Sequence, residues 1–382
     1  MKNKNILYVN YSPYENQGKI LDFLLDEYRY VFLISIGHHN IGRKKIVNKL
    51  TVYHHSEPIE EKYFPHFPIP SQLVFMLLPV KSVVSLLQVL WRAYLVQKKY
   101  GAIDYYFTVN GYTAWIGLLL RRLGLVNKTI YWVCDYYPLT HKDIIIRIMR
   151  WLYWQFEKQT VQSDRLAFHN NRLTKKWREQ GLSINQSTCV LIPIGTSPER
   201  IGKTKPRGLS LCFLGVLKQS QGIDFIIDSA DMIARSFPHA AIHIIGPGPD
   251  GNYFKKKART KKANIIFHGY VDDAELDAIV SKCHIGLAPY VPDPSHVSYY
   301  GDPGKIKKYL SHGLPVIATN IHEFTRQLEK YEAGILISYG NQKQLVSAIK
   351  NLMRNYHEYQ KNAVALRDRY NYRVIYKKMF MV

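Results

Sequence analysis

The segment YYGDPGKIKKYLSHGLPVIATN, residues 299–320, decides how this chain is read. Asp302 followed by Pro303 is a helix start: a capping carboxylate, then a proline at the first helical position, where no N–H is missed. Gly304 and Lys305 fall in the first turn. Free backbone N–H groups and the positive end of the helix dipole attract an anion there, and Lys305 adds a full charge. Lys308 follows one turn later on the same face. Gly313, Leu314 and Pro315 end the helix and lead into a strand. The residues alone leave two readings open. One is an anion site. The other is a capped helix with a solvated lysine face, where Asp302 competes with any bound anion.

The surrounding sequence alternates strand and helix. LSLCFLG (209–215), AAIHIIG (240–246), ANIIFHGY (263–270), HIGLAPY (284–290), LPVIATN (314–320) and GILIS (334–338) read as buried strands between helical stretches. The same rhythm runs through the first half. ILYVN (6–10) and YVFLISI (30–36) come first, then a helix over 71–99. DYYFTV (104–109), a helix over 112–123, TIYWVC (129–134), RLAFHN (165–170) and CVLIP (189–193) follow. The predicted class is α/β, two Rossmann-like domains of parallel sheet facing each other across a cleft. PIGTSPERIGKTKPRG (193–208), rich in Pro, Gly and charge, breaks the rhythm. The predicted boundaries are an N-terminal domain over 1–195, a linker over 196–208 and a C-terminal domain over 209–354. A last helix, within 355–382, is predicted to return to the first domain through Tyr356, Tyr359, Tyr370, Tyr372 and Tyr376.

The 299–320 stretch resembles the donor-site motif of retaining glycosyltransferases of family 4, built on the two-domain fold called GT-B. Pro303, Lys305, Tyr309, Leu310, Gly313, Pro315, Val316 and Ile317 match it. FLGVLKQSQGIDFIIDSA (213–230), IHIIGPGPD (242–250), IIFHGYVDDAELDAIVSKCHIGLAPY (265–290) and EAGILIS (332–338) resemble the accompanying segments in order. The similarity is good over about 205–352 and looser over 104–138. It implies transfer of a hexose, with retention, from a nucleotide-sugar to a glycan or lipid-linked acceptor. It implies no cofactor beyond that nucleotide-diphosphate sugar, and no metal.

Three departures qualify the resemblance. Two glutamates of the family pattern stand here as Tyr300 and Lys308. Lysine has only donors and cannot accept from sugar hydroxyls, although it can meet a diphosphate as a point charge. The family's Gly-Arg-Leu and Lys-Gly elements appear as Gly215-Val216-Leu217 and Gln221-Gly222, without either cation. Lys218 lies nearby, as a replacement phosphate ligand or as a solvated loop lysine. The expected donor-binding set is Gly18, Lys218, Gly248, Tyr270, Asp302, Gly304, Lys305 and Lys308. Gly248 lies in the GPGPD turn after a strand. Tyr270 either stacks on the base or covers the core. Gly18 sits in a turn that either approaches the diphosphate or only joins strand to helix. Asp135, at the end of a strand in CDYYP (134–138), is the expected catalytic carboxylate. It orients or deprotonates an acceptor hydroxyl, unless it only binds backbone N–H groups before Pro138. A pseudoenzyme that binds nucleotide-sugar or glycan without turnover is the alternative that Lys308 keeps open.

Composition bounds the rest. Of 382 residues, 52 are Lys or Arg and 29 are Asp or Glu, a net charge of +23. An excess of that size predicts an anionic partner. No zinc knuckle, RNP motif or helix-turn-helix stands out, so no nucleic acid is expected. Four cysteines without a CxxC pair argue against zinc or a disulfide framework and fit a reducing cytosol. His38-His39 and His54-His55 lack the ligands that a metal site needs. The apolar run after Met1–Asn5 is too short for an export signal. Tyr63–Val96, interrupted by prolines, Lys81 and Arg92, is not expected to span a bilayer. Residues 71–99 and MRWLYWQFEKQ (149–159) mix cations with Trp and Tyr. They read either as core helices or as helices resting on an anionic membrane surface. The expected location is cytoplasmic, peripheral on the inner face of the cell membrane.

Overall fold

The computed structural model describes residues 1–12, 14–37, 47–66, 74–141, 143–202 and 206–381. The chain forms two compact units, Met1–Pro193 with Tyr372–Val382, and Ile194–Asn371.

The first unit is an eight-stranded sheet. Its strands are β1 (Asn5–Ser12), β2 (Tyr30–Gly37), β3 (Asn48–His54), β4 (Glu57–Phe64), β5 (Tyr105–Thr108), β6 (Lys128–Val133), β7 (Arg165–Phe168) and β8 (Cys189–Leu191). The order is β4-β3-β2-β1-β5-β6-β7-β8. Alternation along β1 sends Leu7 and Val9 to one face and Ile6 and Tyr8 to the other. The first face packs on helices Val74–Tyr100 and Gly111–Arg122. The second packs on Ile20–Glu27 and on Tyr372, Tyr376, Met379 and Phe380.

The β3–β4 hairpin is antiparallel and absent from the sequence reading. Its outer strand, EPIEEKYF, is charged and largely exposed, which blunts a sheet edge but hides the strand pattern. Its turn places His55 and Ser56 at φ 48° and 73°, a geometry that Gly or Asn would have advertised. The His54-His55 pair is therefore part of a hairpin end. His38-His39 lies outside the described residues.

The second unit is a six-stranded parallel sheet of β9 (Ser210–Leu214), β10 (Ala241–Ile245), β11 (Asn264–Gly269), β12 (Ile285–Ala288), β13 (Val316–Thr319) and β14 (Gly334–Ile337). The order is β11-β10-β9-β12-β13-β14, so the chain reverses direction across the sheet between β9 and β12. A ligand crevice is expected at the carboxyl ends of such a pair.

Two boundaries differ from the sequence reading. The segment read as a linker from 196 is fastened to the second unit. Thr196 N donates to Tyr370 O at 2.9 Å and Ser197 N to Ser311 Oγ at 3.0 Å. Residues 203–205 of it lie outside the described set. The terminal helix is three pieces, Tyr356–Arg369, Tyr372–Ile375 and Lys377–Phe380. The first belongs to the second unit, with Ala363 and Leu366 in its core. The helix stops where Asn371 bridges to Thr196, and the chain enters the first unit at Tyr372.

Candidate functional site

In the second unit two glycine turns interlock at the end of β9. Gly215 N donates to Ile245 O, and Leu217 N to Pro247 O. Gly246 has φ 131°, and a Cβ on it would lie 2.1 Å from Gly215 O. A Cβ on Gly248 would lie 2.3 Å from Leu217 N. Gly248 is thus a glycine because the 215–218 turn presses on it. Asp250 closes the pair by accepting from Gln219 N at 3.0 Å.

Helix Gly304–Ser311 brings Lys305 to this junction. Its Nζ donates to Gln221 Oε1 at 2.8 Å. It also lies 4.0 Å from the centre of the Phe213 ring and 4.4 Å from that of Tyr290. A Cβ on Gly215 would stand 3.2 Å from Nζ, so the missing side chain leaves the ammonium open towards the turn. Lys305 is only 8% exposed, and burial pushes its pKa well below the ordinary lysine value. Among the described residues no carboxylate forms an ion pair with it. A buried cation held by one amide oxygen and two ring faces is stabilised by any anion that arrives.

The motif's tyrosine has a structural cause. Tyr309 Oη accepts from Leu214 N at 2.7 Å and donates to Leu287 O at 3.1 Å, tying the ends of β9 and β12. A Cβ on Gly286 would fall 2.3 Å from its ring.

Asp302 is not the cap that the sequence suggested. The capping position is Pro303, without a side-chain bond. The Asp302 carboxylate is buried, accepts from Ile194 N at 2.8 Å and lies 3.3 Å from Lys307 Nζ. Lys307 stands over the Phe324 ring, and burial lowers its pKa while raising that of Asp302. This pair fastens the start of the second unit, so the Asp302 carboxylate is engaged by Ile194 and Lys307. Lys308 does not join Lys305 either. Its Nζ is 2.6 Å from Asp277 Oδ1, which His312 Nε2 also contacts at 3.0 Å. The Lys308 and His312 charges help to hold the Asp277 carboxyl below its usual range, against desolvation. Tyr300, at the other departure from the family pattern, donates to Pro294 O.

Gly304 opens the helix beside Lys305, and a Cβ on it would meet Ile194 Cδ1 at 3.7 Å, an ordinary contact. Lys218 is exposed in the turn that carries Gly215 and Gln221. Tyr270 is exposed after β11, the edge strand. The structure brings together Lys305, Gly304, Gln221 and the 215–218 turn. The sequence reading counted Gln221 only as a lost cation and passed over Phe213 and Tyr290, which were legible only as strand residues.

In the first unit, Gly18 has φ 64° and its carbonyl accepts from Tyr376 Oη at 2.7 Å. Asp135 follows β6 as an exposed residue, yet its carboxyl is desolvated and pushed up to about 6. Behind it lies a group that the sequence reading missed. Glu157 is fully buried, accepts from Tyr131 Oη at 2.6 Å and is pushed up to about 8 by burial, the Asp135 charge adding to the effect. Its signal was available, since it is the one acid in IIIRIMRWLYWQFE (144–157). Among the described residues no group of three His, Cys, Asp or Glu side chains could hold a metal ion.

Residues 208–355 match the family described as Glycosyl transferases group 1. A phosphatidyl-myo-inositol mannosyltransferase of Mycobacterium leprae is 24% identical over 230 residues, 58% of this chain and 58% of that protein, so the match spans little more than half of each. A sucrose-phosphate synthase from Thermosynechococcus elongatus superposes with a TM-score of 0.67 at 16% identity, over 99% of this chain and 97% of that one. HepE from Anabaena, solved in complex with UDP, gives 0.65 at 13% identity over 98% of each. The chain thus resembles the group 1 glycosyltransferases, and its fold is GT-B, as the 299–320 motif implied.

Proposed function

We propose that the chain is a glycosyltransferase moving a hexose from a nucleotide-sugar to a glycan or lipid-linked acceptor, with retention and without a metal. The observation that carries this reading is the buried, carboxylate-free ammonium of Lys305 at the β9–β12 reversal, open towards the Gly215 turn. A donor diphosphate supplies the missing anion. As the bond from sugar to phosphate breaks, charge grows on the leaving phosphate, and a preorganised ammonium in a dry site stabilises it more than it stabilises the bound donor. Lys305 takes this part, with Lys218 at the outer side of the 215–222 turn, whose N–H groups at Gly215, Leu217 and Gln219 are already engaged by Ile245, Pro247 and Asp250. Tyr270 serves the base. In the first unit, Asp135 orients the acceptor hydroxyl and receives its proton.

The test is incubation with panels of UDP-, GDP- and ADP-sugars, reading nucleoside diphosphate release and the anomeric configuration of the product. Release from one donor with the configuration kept supports the reading, and inversion removes retention. A second reading, a nucleotide-sugar or glycan binder without turnover, is favoured by one observation. Lys308, at a position where the family pattern has Glu, is spent on Asp277. Tight donor binding with no release under any acceptor would establish that reading instead.

A further inference from the structure

Helix Val74–Tyr100 turns one face into the first unit's core through Val89, Ala93 and Val96. Its other face is an apolar stripe. Met76, Val80, Val83, Leu87, Trp91 and Tyr94 recur at spacings of three and four, with Leu77 beside them, and these residues are 41% to 72% exposed. Trp91 and Tyr94 stack at 5.7 Å. Helix Ile144–Glu157 packs against the same helix and repeats the pattern, with Ile144, Ile145, Ile148 and Trp151 at 50% to 60% exposure.

Charge selects the occupant. Val74–Tyr100 contains no acidic residue and carries Lys81, Arg92, Lys98 and Lys99. In Ile144–Glu157 the acid is buried, and Arg147 and Arg150 are the cations. Lys99 is engaged by Glu60 and Arg150 by the Pro138 carbonyl, which leaves exposed Lys98 and Arg147 to face outwards. A docked protein meets a rim of both signs. Exposed Asp143 caps the second helix, but within the two helices the exposed charged side chains are all cations, and with the apolar residues and interfacial Trp and Tyr they are complementary to anionic headgroups over acyl chains.

We propose that this two-helix face docks on an anionic bilayer. The stripe settles at the boundary of headgroups and chains, with Lys98 and Arg147 among the headgroups. The inference does not depend on donor chemistry. Met76–Tyr100 is long and apolar enough to cross a membrane. Crossing would pull Val89, Ala93 and Val96 out of the core, whereas lying in the interface leaves them in place.

The experiment is co-sedimentation of the full chain with vesicles of phosphatidylcholine alone or mixed with phosphatidylglycerol, at low and high salt. Binding to the mixed vesicles is expected at low salt, and roughly tenfold weaker binding to phosphatidylcholine alone. Raising salt to 1 M shortens the Debye length to about 3 Å and removes the cationic share, leaving a residue held by the stripe. The double variant Leu87→Glu/Trp91→Glu and the single variant Ile148→Glu should each lose binding roughly tenfold or more. All these positions are exposed, so melting temperature and nucleoside diphosphate affinity should stay at wild-type values. The inference is overturned if mixed vesicles fail to bind the chain, or if the variants bind as wild type. It is also overturned if light scattering shows a dimer that the variants split, which gives the face to a second copy. Retention by RNA but not by vesicles equally gives the basic surface to another partner.

Discussion

Replacing Lys305 by methionine separates what the buried ammonium costs the fold from what it gives a ligand. Methionine keeps an unbranched apolar stem between Phe213 and Tyr290. It deletes the charge and the hydrogen bond to Gln221. A charge-assisted hydrogen bond contributes about 1.5–3 kcal/mol, so nucleoside diphosphate affinity should fall roughly 10- to 150-fold. Stability should move the other way. Burial lowers the native pKa of Lys305, so the unfolded chain holds that proton more tightly than the folded one. By linkage the wild type loses stability as pH falls from the ordinary lysine range to the native pKa, and the loss is complete below it. Methionine titrates nothing. The ligand-free variant should therefore melt above the wild type at neutral pH, with the gap closing as pH rises towards the ordinary lysine range. Calorimetric titration with UDP, GDP and ADP reads the first effect, and thermal unfolding across pH reads the second. Unchanged affinity would remove Lys305 from the donor site. A variant less stable at neutral pH would show that the ammonium is a structural tie.

Three further outcomes are expected. The Asp135 carboxyl, pushed up to about 6, fills with negative charge as pH rises through that value, so transfer should show an acid limb there. Asp135→Asn should lower kcat roughly 10²- to 10⁴-fold and abolish the limb, and a variant keeping both rate and limb has no acceptor role at that position. Glu157, raised to about 8, contributes stability that is full below the ordinary carboxylate range and lost as pH rises through about 8. Glu157→Gln keeps an acceptor for Tyr131, so its Tm should exceed the wild type's in mild alkali and converge with it in acid; equal values at both ends contradict a buried neutral carboxyl. Lys308→Glu sets a second carboxylate against Asp277 and should cost about 1 kcal/mol of stability while leaving nucleoside diphosphate affinity alone, a change in affinity being the contrary result.

The sequence displayed the second unit almost completely because its strands are parallel and, apart from the half-exposed edge strand β11, carry buried apolar runs. The β3–β4 hairpin escaped because β4 lies at the sheet edge, where polar and charged residues replace the apolar run. The site was legible where local chemistry carries it, as with Lys305 in the first turn of its helix. It was misread where the partner is remote in sequence. Asp302 looks like a cap until Ile194, 108 residues away, appears on its carboxylate. Lys308 shares a helix with Lys305, but Asp277 draws its side chain elsewhere. Gln221, read only as a missing cation, is the hydrogen-bond partner of Lys305.

The most direct test of the central claim is a diffraction structure of the chain with a bound nucleoside diphosphate. The account predicts a phosphate oxygen about 2.7–2.9 Å from Lys305 Nζ, with the phosphates against the Gly215 turn. A nucleotide bound elsewhere, with Lys305 still resting on Gln221 alone, would contradict it.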